Sequence, residues 1–260
     1  MDNLYNGLSF KELKVFLDEK TIQFNQSDFL ADDPLGVVHR FSRKEDIEIM
    51  GLLMATIAWG NRKSIITSGN RLVEIFENEP YQFVLNHTDA DFAHLHFVHR
   101  TFQKSDLQFF VGALREIYKK QISLEAAFTE NPVITGIKGR IVNFRTELLS
   151  YPHEKRSEKH LANPLKKSAA KRINMFLRWM VRDNSTGVDF GIWNSIPKSD
   201  LYLPLDVHTS NIGRKLGLIT RKQDDWQALE ELMENLKQLD PKDPCKYDFA
   251  LFGLGAIEKF

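Results

Sequence analysis

A chain of 260 residues, 42% hydrophobic and 11% aromatic, is long enough to bury one large core or two small packed lobes, and its formal charge of zero advertises no overall attraction to a polyanion. The single Cys245 excludes an internal disulfide and any zinc or iron–sulfur site built on several thiolates. With no leader pattern and no apolar run of about 18 residues, the expectation is a soluble, cytoplasmic protein; it is also expected to be a monomer with no metal and no cofactor.

Helical spacing dominates from the start. "FKELKVFLDEK" (10–20) puts Phe10, Leu13, Phe16 and Leu17 on one face. "EDIEIMGLLMATIAW" (45–59) reads as a strongly apolar helix, and after a Gly60-Asn61 break "RKSIITSGNRLVEIF" (62–76) reads as the next. "SDLQFFVGALREIYK" (105–119) opens on Ser105 as cap, with Asp106 in the first turn. Another helix is expected over about 134–150. "SAAKRINMFLRWMVR" (168–182) offers Ser168 as N-cap and sets Ile173, Phe176, Leu177 and Met180 in one stripe. "LYLPL" (201–205) is short and carries a proline, and helices follow at 206–216, 225–238 and 244–256. Strand alternation is scarce, so the class is all-α.

The zero total charge is unevenly spread. Residues 155–182 hold nine Lys or Arg against one Glu, a local charge of +8. Residues 224–260 hold nine acids against four bases, or −5. Such a basic stretch governs phosphate binding more than the total does.

Asp206 stands at the junction of "LYLPL" and a polar helix start. An Asp there is most simply a cap, with Gly217 as the stop and Arg214 and Lys215 matching the dipole in the last turn. The same helix start, with His208, Thr209 and Ser210, also makes a phosphate seat. "PLDVHTSNIGRKLGL" resembles the segment bearing the essential aspartate of the helix-hairpin-helix (HhH-GPD) DNA glycosylase superfamily, with Asp206 and His208 in matching places. "DIEIMGLLMATIAWGNRKSI" (46–65) and "DPCKYDFALFGLG" (243–255) resemble its early helix–turn and its closing helix, so the likeness covers roughly residues 40–256. The strongest match is to an uncharacterised bacterial family with "KRxNxFLRWMVR…VDFGxW…PLDxH…DPxKYDFALFGLG", which in turn resembles the glycosylases.

The resemblance implies one glycosylase-like unit over 1–260, with a cleft between lobes 1–30 plus 150–260 and 31–149. It also implies base-excision repair of duplex DNA containing a damaged base, closest to the 8-oxoguanine branch, with AP lyase activity. In bifunctional members a lysine at the start of the second hairpin helix attacks the sugar, and Lys171 holds the matching position. Read from the residues alone, Lys171 is either that nucleophile or one more solvated charge among Lys166, Lys167 and Arg172. The family's "LPGVGxxTA" hairpin is "NPLKKSAAK" here, so both glycines are replaced and lysines stand where a cation-binding turn is expected. Lys171 and Asp206 are 35 residues apart, the excess lying in "DNSTGVDFGIWNSIP" (183–197), a departure shared by the archaeal 8-oxoguanine glycosylases.

A glycosylase must take its base out of the stack and read its edge and faces. Asp248 and Phe252, four apart on one helix face, match the positions that read the Watson–Crick edge and stack on the base; equally, "YDFALFGLG" reads as a core helix. Trp59, Asn61 and Arg62 lie at the early helix–turn junction, where one of them lines the pocket or fills the gap left by the flipped base, unless Trp59 is core. Phosphate contacts are assigned to Lys166, Lys167, Ser168, Arg172, His208 and Thr209. Two other outcomes stay open: a binder of damaged or distorted DNA without chemistry, and a monofunctional glycosylase for another lesion.

Overall fold

The computed structural model describes residues 7–260. The fold is all-α: twelve α-helices, short 3₁₀ turns and one small hairpin are present among the described residues. In chain order the helices are α1 (Phe10–Phe24), α2 (Leu35–Val38), α3 (Lys44–Ile57), α4 (Arg62–Ile75), α5 (Pro80–Asn86) and α6 (Asp89–Ala93). The hairpin strands β1 (Val98–His99) and β2 (Phe102–Gln103) lead into α7 (Lys104–Lys120) and α8 (Gly136–Leu148). Then come α9 (Lys171–Val181), α10 (Val207–Lys215), α11 (Trp226–Leu239) and α12 (Tyr247–Ala256). No described helix is long and apolar enough to cross a membrane.

The chain divides into two compact units. One takes residues up to Ser27 together with Asn163–Phe260; the other is the continuous segment Asp28–Ala162. In the first, α1 begins with a reciprocal capping box, Ser9 and Glu12 exchanging side-chain and backbone hydrogen bonds. Its Leu13 and Leu17 are buried, and α1 packs along α12. That packing needs Gly253, where a Cβ would lie 2.2 Å from the Phe24 ring. α12 also packs on α10, through Gly255 against the His208 backbone. Phe176, Leu177 and Trp179 of α9 and Leu229, Leu232 and Leu236 of α11 fill the same core, each fully buried apolar side chain adding roughly 1.5–3 kcal/mol.

The second unit is built around α3, which is buried from Asp46 to Ile57. A helix buried on nearly every side has to satisfy its polar residues internally. Glu48, wholly buried, does so by accepting from Tyr118 Oη at 2.8 Å, Ser123 Oγ at 2.5 Å and the Leu124 amide at 3.0 Å. The expected Ser105 cap is corrected: Gln103 is the N-cap of α7, and its amide is held by Asp106 at 2.8 Å. The helix starts two residues further upstream because β2 delivers the chain in extended conformation up to Gln103.

Candidate active site

The turn before α9 places two non-glycine residues in the left-handed region. Pro164–Lys166 form a 3₁₀ turn begun by Asn163, whose side chain accepts from the Leu165 amide at 2.9 Å. Lys167 then adopts φ 66° and Ala170 φ 49°, both in the left-handed region that favours glycine. The strain is held by neighbours: the Lys167 carbonyl accepts from the Trp226 amide at 2.9 Å, and Ser168 bridges Asp225 at the start of α11. Ser168 is therefore not the N-cap of α9. Its hydroxyl accepts from the Ala170 amide at 3.2 Å, Ala170 takes the cap position, and the helix begins at Lys171.

Residues 201–205 run extended with Leu201, Leu203 and Leu205 buried, which fixes where α10 starts. Asp206 caps it: one carboxylate oxygen accepts from the Thr209 amide at 2.9 Å. The other oxygen lies 3.2 Å from Lys171 Nζ. The two side chains are 39% and 13% exposed, so the amine is open to solvent while the carboxylate is held. One aspartate thus serves as helix cap and as the anionic partner of a lysine at another helix start. The cap and the catalytic candidate are the same group, acting through different oxygens.

Other expected site residues are placed unevenly. Lys166 and Lys167 are exposed, as phosphate contacts require. Arg172 is half-buried, and that burial lowers its pKa. His208 is exposed on the first turn of α10 and meets the half-buried Phe252 edge-on at 6.0 Å. Thr209 is wholly buried, with its amide given to Asp206, so it offers no open phosphate contact; the protein's own carboxylate occupies that helix start. In the other unit, Asn61 caps α4 by accepting from the Ser64 amide at 3.2 Å. Trp59 is half-buried, its ring 5.2 Å from that of His99 and 5.9 Å from that of His160.

Asp248 is corrected most. It is 4% exposed and committed to a short hydrogen bond with Arg178, not turned to an open base pocket. The pair belongs to a buried ladder that sequence reading missed. Arg178 Nε donates to Asp189 at 3.2 Å; Arg182 donates to Asp189 at 2.6 Å and to Asp243 at 2.9 Å. Burial, with the nearby Asp206 and Asp189 charges, pushes Asp248 up to about 6 against the pull of Arg178. The 183–197 segment runs back along α9, with Phe190 and Trp193 amides on the Trp179 and Met180 carbonyls, and Asp189 pins it there. Burial raises the Cys245 thiol well above its ordinary range, which leaves it inert. An Arg at i, i+4 across an otherwise apolar helix was the available signal for the ladder, masked by its look of a DNA-binding face.

The ladder also revises the basic stretch. Of its nine cations, Arg178 and Arg182 are buried and paired, Arg156 is bound to Asp106 and Lys171 to Asp206. Lys155, Lys159, Lys166 and Lys167 are the exposed members.

These features define an all-α protein with a lysine–aspartate pair joining two helix starts. The chain belongs to the family described as protein of unknown function (DUF2400), whose model matches residues 33–257. No curated protein and no solved structure matches it.

Proposed function

We propose that this protein removes a damaged base from duplex DNA and cleaves the remaining sugar through a lysine Schiff base, as a DNA glycosylase with AP lyase activity. The observation that carries the reading is the 3.2 Å approach of Lys171 Nζ to Asp206, each at the first turn of its helix. In this mechanism Asp206 takes the ammonium proton and the freed amine attacks C1′. The glycosidic bond breaks, its electron pair leaving with the base, which acquires a proton. Ring opening gives an imine to Lys171, and loss of a C2′ proton expels the 3′ phosphate. Asp206 passes the ammonium proton to the departing base, and the carboxylate so restored faces the positive charge that develops on the sugar, where a held anion stabilises without reorganising. The exposed Lys166 and Lys167 supply phosphate attraction beside the nucleophile.

The test is borohydride trapping on a panel of lesion duplexes beginning with 8-oxoguanine. Wild type is expected to form a covalent adduct that Lys171→Gln abolishes. A wild type that neither cuts nor traps any lesion sinks the enzyme reading. One observation favours the monofunctional alternative: Lys171 is held in an ion pair. Base release that survives Lys171→Gln would select it. Because Asp248 is committed to Arg178, the preference for an oxidised guanine rests on the resemblance alone, and the panel decides it.

A further inference from the structure

We propose that Asn174, with Ser168, is a positioning residue for Lys171: together they lock the peptide between Ala169 and Ala170 and so hold the lysine against Asp206. The inference deepens the proposed function and rests on it for the role of Lys171. Ala170 ends the turn at φ 49°, and Lys171 follows as the first residue of α9. An alanine leaves the left-handed region unless its neighbours forbid it. Here they do. The peptide joining Ala169 to Ala170 is gripped at both ends: its carbonyl accepts from Asn174 Nδ2 at 3.0 Å, and its amide donates to Ser168 Oγ at 3.2 Å. Asn174 also takes the next carbonyl, its own amide donating to that of Ala170 at 3.0 Å. One residue thus holds the carbonyls on both sides of the strained step.

Folding alone does not call for an asparagine at this place. The side chain is wholly buried beside Ile173 and Leu177, and its Oδ1 accepts no hydrogen bond among the described residues. An apolar side chain would avoid that desolvated acceptor. What the amide supplies, and an apolar group cannot, is the donor to Ala169. The peptide it holds sets the direction in which the chain enters α9. Lys171 comes next, and its Nζ ends 3.2 Å from the Asp206 carboxylate. With that peptide free to turn over, the helix would start elsewhere and the approach would be lost.

The experiment is reductive methylation of the intact protein with formaldehyde and cyanoborohydride, without DNA, read lysine by lysine by peptide mass spectrometry. The exposed Lys155 and Lys159 serve as references. Each variant is measured well below its melting temperature, so a loss of stability alone leaves the ratio of Lys171 to these references unmoved. Pairing shields the Lys171 amine, so Asp206→Asn should raise its rate several-fold. Asn174→Leu, and the milder Ser168→Ala, should raise it likewise. Adding Asp206→Asn to either should bring little more, the mark of one shared contact. Unchanged Lys171 rates in both clamp variants overturn the inference, even when borohydride trapping on lesion DNA succeeds. So does full additivity with Asp206→Asn, or a rate that Asp206→Asn itself leaves unmoved. The expected pattern in a protein that traps no lesion would keep the clamp and remove the chemistry.

Discussion

At the scale of single residues, Asp206 separates stability from chemistry. Asn caps a helix about as well as Asp, so Asp206→Asn should unfold within about 0.5 kcal/mol of wild type, whereas Asp206→Ala should lose ~1 kcal/mol of stability in urea denaturation. Under the proposed mechanism both should slow base release by roughly 10²–10³, since each removes the held charge. Equal rates in Asp206→Asn and wild type would leave the residue a cap. Asp248 gives a pH prediction whose sign is fixed by its direction. Its carboxyl is raised to about 6 in the folded protein, above roughly 3.9 unfolded. The folded state therefore binds the extra proton between those values, and this group's contribution to stability falls as pH rises from about 4 through about 6. Urea titrations of Asp248→Asn against wild type should show that slope flattened. At this scale the sequence pointed correctly to the cap, because a cap is a local event. It misjudged Asp248, whose partner lies 70 residues away.

Among the elements, the turn before α9 holds non-glycine residues in the left-handed region. Lys167 holds φ 66° where glycine would be at ease, so Lys167→Gly should raise stability by ~1 kcal/mol while weakening DNA binding through the lost charge. Thermal unfolding and duplex affinity measured on one variant check both signs. The 183–197 segment is held to α9 by Asp189, which accepts from both Arg178 and Arg182. Removing that anion leaves buried guanidinium groups short of charge, and Asp189→Asn should cost about 3–5 kcal/mol by chemical denaturation. Loss below 1 kcal/mol would show that Asp243 and Asp248 suffice. Helix positions were legible because apolar spacing and caps are written within a turn or two: Asp206 and Asp225 begin α10 and α11 as expected. Helices α5 and α6 and the β1–β2 hairpin were not, being too short for a periodicity to establish itself.

For the molecule as a whole, the continuous unit Asp28–Ala162 carries its own buried core, including Leu53, Phe110 and Phe144. Expressed alone, it should be helical by circular dichroism and unfold cooperatively; a featureless melt would show that it depends on the rest of the chain. Charge is where local reading and the whole diverge. A stretch of +8 read along the chain becomes a smaller exposed set because Arg178 and Arg182 turn inward to carboxylates distant in sequence. The sequence by itself determined the all-α class and most helix starts, since apolar periodicity and capping act over a few residues; Lys171 and Asp206 were singled out together only by the family resemblance. Only the tertiary structure decided that Lys171 meets Asp206 and that Asp248 serves a buried ladder. Each is a meeting of groups more than 30 residues apart, set by packing rather than by local preference.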